Sequence, residues 1–400
     1  MFETPSIRLR GARPRVRDSG SLRPEEGGAT PDLGSRLTSK ARRMPSASAP
    51  SVRLPRPPLL EVTEHGLYCA AGDFHVDPWG PVARAVVTHG HADHARRGSR
   101  AYLAAPSGLP VLRLRLGRDA RLEALPFGEE RRLGDATVSL HPAGHLLGSA
   151  QVRIEHRGEV WVVSGDYKTD SDPTCEPFEA VPCDTFVTES TFGLPVFRWP
   201  AQATVLAAID AWWRENAAAG RASVVFAYAL GKAQRLLAGV DSSIGPLVVH
   251  GAVRACVDAY RAAGRALPAV HAATTLPRER LVRSLVIAPP SAQGSPWMRR
   301  FPGASTAFVS GWMHLRALRR QRRVDRGFVL SDHVDWPGLL GAVAATGAAR
   351  VGVTHGYTGP VVRWLAERSG LDAWALPTRF TGEGGVEEEA LEAEAPEEEP

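Results

Sequence analysis

Cysteine is scarce in this chain. Its 400 residues hold four, Cys69, Cys175, Cys183 and Cys256, and no two stand in a Cys-x-x-Cys pair. That scatter argues against a disulfide framework and against a cysteine zinc knuckle, and it points to a reducing compartment, the cytoplasm. Long apolar runs are missing too. None approaches the roughly 20 residues of a membrane span, so no membrane association is expected. The N-terminus carries arginines but no apolar signal core, and export is not indicated. There is no internal repeat, and no Lys or Arg follows Arg379.

What is present fits a globular protein. Hydrophobic residues make up 44% of the chain, enough for one large or two ordinary domains. The net charge of +5 hides a segregation. Eight glutamates, Glu387, Glu388, Glu389, Glu392, Glu394, Glu397, Glu398 and Glu399, crowd the C-terminus, and the rest of the chain would carry +13 without them. Such a balance suits a polyanionic partner, although arginine richness also follows from base composition.

Residues 1–55 are rich in Arg, Ser, Pro and Gly and are expected to form a disordered basic extension, with residues 386–400 an acidic tail. Residues 56–195 alternate short apolar runs with turns, as strands do. From 196 to 326 the pattern becomes strand–helix alternation, which predicts a parallel α/β insert. Residues 327–385 return to strand-like runs and complete the first domain.

The chemistry concentrates in His89-Gly90-His91-Ala92-Asp93-His94, which follows the apolar run Ala85-Val86-Val87-Thr88. Imidazoles and a carboxylate are the donors that a borderline ion such as zinc prefers. Alternation along an extended segment points His89 and His91 the same way, and the turn that follows swings Asp93 and His94 toward a second ion. Further donors stand near later apolar runs: His145, Asp166 after Trp161-Val162-Val163, and His355 after Val351-Gly352-Val353-Thr354. Asp77 is placed to orient the histidine loop. Each alone is as readily a capped turn or a hydrogen-bonded polar group.

In this order the residues resemble the motifs of metallo-β-lactamase-fold hydrolases. The resemblance implies an αββα sandwich holding two zinc ions, with manganese as the alternative. One ion would take His89, His91, His145 and Asp166, and the other Asp93, His94, the shared Asp166 and His355. Thr188-Glu189-Ser190-Thr191, Ser331-Asp332-His333-Val334-Asp335 and Thr354-His355-Gly356 resemble three extra motifs of the β-CASP nuclease branch, whose α/β cap stands where residues 196–326 lie. Ala71-Gly72-Asp73-Phe74-His75-Val76-Asp77-Pro78-Trp79 and Ser310-Gly311-Trp312-Met313 resemble signatures of the bacterial ligase-associated DNA exonuclease group.

That resemblance implies phosphodiester hydrolysis of single-stranded DNA or duplex ends in DNA repair, beside an ATP-dependent DNA ligase. Asp77, Asp93, Asp166, Glu189 and His333 would be the catalytic set, with His333 tuned by Asp335 or Glu189. An RNA-processing nuclease with the same metal core is the alternative, and a small-molecule ester or lactam hydrolase a more distant one. Nucleic acid would meet Ser310, Arg316, Arg319 and Arg320 in a dense basic run, and Lys232 and Arg235 at the start of a helix. A solvated helix face explains the basic run equally well.

Overall fold

The computed structural model describes residues 58–379. The expected extension 1–55 and tail 386–400 lie outside the described residues. Alternating apolar positions in short runs produce three sheets of six, seven and five strands.

The six-stranded sheet runs in chain order from Glu61–Thr63 to Leu122–Ala124 and includes Phe74–Val76 and Ala85–Val86. The seven-stranded sheet is mixed. Ala136–Pro142, Ala150–His156 and Glu159–Val163 are antiparallel neighbours, and Thr185–Glu189 and Arg350–Thr354 then add in parallel. These two sheets enclose one core, in which Val76, Val86 and Leu103 meet Val138, Val152, Ile154 and Trp161. The outer face of the six-stranded sheet packs on helix Leu109–Leu116 through Leu112 and Leu116. The outer face of the seven-stranded sheet packs on Trp336–Thr346 and Thr358–Ser369 through Leu339, Val343, Val361 and Leu365. The layers therefore run helix, sheet, sheet, helix.

The five-stranded sheet is wholly parallel, in the spatial order Leu247–Val249, Leu285–Ala288, Ser223–Phe226, Ser305–Val309, Arg326–Phe328. Parallel strands are buried on both faces, and Val224, Val225 and Phe226 are all within 1% of full burial. Helices Gln202–Ala218, Lys232–Gly239 and Gly251–Ala262 cover one face with a core that reaches Val111, Leu146 and Leu147 of the preceding layers. Gly327 and Phe328 pair with Phe308 and Val309, so this sheet runs past residue 326, where the sequence pattern had suggested its end. A short apolar strand carries no mark in its sequence of the sheet it joins. Among the described residues no helix is long and apolar enough to cross a membrane.

Candidate metal centre

Strand Ala85–Val86 ends in buried Val87 and Thr88, and the chain then leaves the sheet through the histidine loop. His145 sits in the loop between strands Ala136–Pro142 and Ala150–His156. Gly144 and Gly148 flank it at φ +75° and +72°, and a Cβ on either would come within 2.2 Å of backbone. Asp166 follows strand Glu159–Val163, and His355 follows Arg350–Thr354. Adjacent strand ends thus deliver residues far apart in the chain to one place.

Among the described residues four clusters of possible ligands result, two of them drawing on His333, and the other two match the expected ligand sets. His89, His91, His145 and Asp166 are all buried, with one donor atom from each within 4.8 Å of the others. His91 Nδ1 lies 3.2 Å from His89 Nε2 and 3.1 Å from His145 Nε2. Those separations approach the edge, about 3.3 Å, of a tetrahedron with zinc–nitrogen bonds of about 2.0–2.1 Å. The second group is Asp93, His94 and His355. Asp166 Oδ2 stands between the groups, 3.5 Å from His89 Nε2 and 3.3 Å from His94 Nε2.

The hydrogen bonds turn lone pairs inward. His145 Nδ1–H donates to the Asp332 carbonyl at 3.0 Å, which leaves Nε2 as the donor atom for a metal. The Thr88 hydroxyl donates to Asp77 Oδ2 at 2.6 Å, so its oxygen accepts from His89 Nδ1–H at 3.0 Å. His91 Nε2–H points at the Leu230 carbonyl, 3.4 Å away. His94 Nδ1–H donates to Asp77 Oδ2 at 2.7 Å. Asp77 thus holds the loop rather than joining a ligand group, and it adopts the left-handed φ of +44° to do so; His355 has φ +55°.

Polar atoms left over by this network test whether a cation fits. His94 Nε2, Asp166 Oδ1 and His355 Nδ1 are buried without a hydrogen-bond partner. Such atoms are costly unless a cation or water satisfies them. The electrostatics of four of the five imidazoles suit a metal; for the fifth, His94, burial lowers the pKa but Asp93, Asp166 and Asp77 more than offset it and raise it. Burial, reinforced by neighbouring imidazoles, pushes His89 and His145 well below the ordinary histidine range, and burial lowers His91 and His355 as well. Neutral imidazole is the form that binds metal. The donor set could hold metal ions.

His333 lies beside this centre. Its Nδ1 is 2.9 and 3.0 Å from the two carboxylate oxygens of Glu189 and 4.0 Å from Asp166 Oδ2. Glu189 Oε1 also accepts from Tyr167 N at 2.9 Å. Of the two acids expected to tune His333, only Glu189 contacts it. Asp335 instead caps helix Trp336–Thr346, accepting from Gly338 N at 2.9 Å and Trp199 N at 3.0 Å.

The expected nucleic-acid contacts divide. Lys232 and Arg235 are 0% and 1% exposed. Lys232 Nζ lies 3.2 Å from Asp332 Oδ1, and Arg235 Nε 2.9 Å from Asp172 Oδ2. Charges neutralised inside the protein do not reach a phosphate, which corrects the expectation for both. Burial also removes Ser310, 1% exposed, whose hydroxyl caps the turn Gly311–His314 by accepting from Trp312 N. Arg316, Arg319 and Arg320 are exposed on helix Arg316–Gln321, and Arg319 also donates to the Met313 carbonyl at 2.9 Å. Sequence reasoning missed Thr88, the hydroxyl that links Asp77 to His89. Its position directly before the first histidine was the available signal.

No protein-family model matches the chain. It is 34% identical over 316 residues to a protein of Opitutus terrae named probable DNA ligase, a match covering 78% of this chain and 30% of that protein. It is 28% identical over 126 residues to an RNase J-like protein of Methanocaldococcus jannaschii, covering 31% of this chain and 30% of the relative. It is 29% identical over 130 residues to the endoribonuclease YSH1 of Gibberella zeae, covering 31% of this chain and 15% of the relative. The matched stretches thus span less than a third of these relatives. A solved structure from Enterococcus faecalis, of a protein of unknown function, shares the fold with TM-score 0.50 at 12% identity, covering 75% of this chain and 80% of that one. The protein is a mixed α/β chain, and relatives of its sequence carry nuclease names.

Proposed function

We propose that this chain is a dinuclear-metal phosphodiesterase of the metallo-β-lactamase β-CASP type, and that it degrades DNA as an exonuclease. The observation that carries the reading is the Asp166 carboxylate, set 3.5 Å from His89 Nε2 and 3.3 Å from His94 Nε2 between two ligand groups. Two zinc ions, or manganese, held by those groups would acidify a water toward neutral pH and draw charge from a phosphate oxygen.

The chain's own residues do the rest. Asp77 and Thr88 fix the histidine loop, so the ligands need no rearrangement when charge develops. Hydrolysis adds water across the P–O bond: phosphorus gains the water oxygen, and the departing sugar oxygen needs a proton. His333, held by the Glu189 carboxylate at 2.9 Å, is the group to deliver that proton. The products are a 5′-phosphate and a 3′-hydroxyl. The five-stranded sheet acts as the cap, and Arg316, Arg319 and Arg320 on it meet backbone phosphates.

The DNA reading is supported by the match across 78% of the chain to a relative named for DNA joining, and it gives the protein a repair role beside an ATP-dependent DNA ligase. A second reading, RNA processing, draws on the relatives named RNase J-like and endoribonuclease, matched over 31% of the chain. End-labelled single-stranded and duplex DNA, and RNA of the same sequence, separate the two when wild type and His91→Ala are assayed beside metal analysis. DNA cleavage that disappears in His91→Ala is the expected result. A preference for RNA overturns the DNA assignment, and a wild-type chain without bound metal overturns the whole reading.

A further inference from the structure

The sheet proposed as the cap also reaches into the metal centre. Helix Lys232–Gly239 belongs to that sheet's layer and places Lys232 and Arg235 on one face, three residues apart. Both are fully buried. Only three of the chain's 48 basic residues are lysines, and this one occupies a slot where a compact ammonium has a carboxylate to meet.

The contacts of residues 230–235 converge on the ligands. The Leu230 carbonyl faces His91 Nε2 at 3.4 Å. Arg235 Nη2 reaches the His145 carbonyl at 3.5 Å. Lys232 Nζ holds the Asp332 side chain at 3.2 Å. The Asp332 carbonyl in turn accepts from His145 Nδ1 at 3.0 Å, and the next residue is His333. Residues 230–235 supply no donor to the two ligand groups.

We propose that Lys232, acting through Asp332, is a positioning residue that fixes the His145 imidazole as a metal ligand and His333 as a proton donor. The cap sheet is therefore part of the metal centre's scaffold. The inference rests on the metal-centre reading above. A substrate-gripping role for Lys232 predicts a loss of substrate affinity; a positioning role predicts a loss of metal affinity and turnover with substrate affinity kept.

The test uses the full chain, Co2+ alone as the metal probe, and a 5′-phosphorylated DNA oligonucleotide as substrate. Lys232→Met combined with Asp332→Leu removes both charges and leaves no unpaired one, so the fold is spared. Asp332→Asn, which keeps the shape and breaks the pair, serves where the double variant does not fold. Expected are a Co2+ affinity and a kcat each lower by about 10–100-fold, with KM within about twofold of wild type. Variants that bind Co2+ and turn over like wild type overturn the inference and leave the metal-centre reading standing. So does a rise in KM at unchanged kcat and Co2+ affinity. A wild-type chain that binds no Co2+ overturns both.

Discussion

Asp77 grips His94: its Oδ2 accepts from His94 Nδ1–H at 2.7 Å, while the same carboxylate takes the amide and the hydroxyl of Thr88 at 2.8 and 2.6 Å. One acid therefore sets the orientation of a histidine from each ligand group, His94 directly and His89 through Thr88. Asp77→Asn replaces an acceptor with an amide that faces donors. We expect metal content to fall and cleavage to slow by about 10–100-fold. Metal analysis beside single-turnover rates checks this, and unchanged values of both would refute it.

His333 contacts Glu189 and clusters with it and Asp166, outside the His89, His91, His145, Asp166 group and the Asp93, His94, His355 group. His333→Ala should keep wild-type metal content and slow cleavage by about 10²–10⁴-fold, the range for a proton-transfer residue. Loss of metal in this variant would make it a ligand instead.

Acid should weaken the metal-stripped protein. Burial holds His89, His91, His145 and His355 below the ordinary histidine value. Unfolded, each binds a proton below about pH 6.5. The unfolded state then holds more protons than the folded one, so stability falls as the pH drops. His94 acts with the opposite sign. Burial lowers its pKa, but Asp93, Asp166 and Asp77 more than offset that and raise it, so its contribution is complete below about pH 6.5 and fades as pH rises through its folded value. Four groups outweigh one. Urea midpoints of chelator-treated protein should be lower at about pH 5 than at about pH 7.5; a higher midpoint in acid would reverse the argument.

Arg235→Met would leave Asp172, 6% exposed, as a buried carboxylate without its partner. The expected loss is about 3–5 kcal/mol of folding stability. Equilibrium denaturation measures it, and a loss below about 1 kcal/mol would mean that water reaches the pair.

Arg319 and Arg320 are exposed on helix Arg316–Gln321. Replacing both with Gln should weaken single-strand binding and flatten the slope of log K against log salt by about 1.4. Fluorescence anisotropy across a salt series reads the slope, and an unaltered slope would remove both from the interface.

Much of the centre was legible in the sequence, because metal chemistry restricts residue type and because strands end where polar loops begin. His89, His91, Asp93, His94, His145, Asp166 and His355 were singled out by donor type and by resemblance to known motifs, and the structure gathers them into two clusters. The parallel sheet was legible in the strand–helix alternation between Ser223 and Val309. Lys232 and Arg235 were misread. A cation at a helix start looks the same in sequence whether it faces a phosphate or an internal aspartate, and Asp332 and Asp172 lie 100 and 63 positions away.

Residue type and local pattern by themselves determined which side chains can bind metal and which segments become strand or helix, since both depend on near neighbours and donor chemistry. Burial, charge pairing and proton placement were decided only by the tertiary structure. Folding chooses which distant carboxylate meets Lys232, which carbonyl receives the His145 proton, and which of two acids, Glu189 or Asp335, stands against His333. Those choices depend on distances between segments that the linear order does not encode.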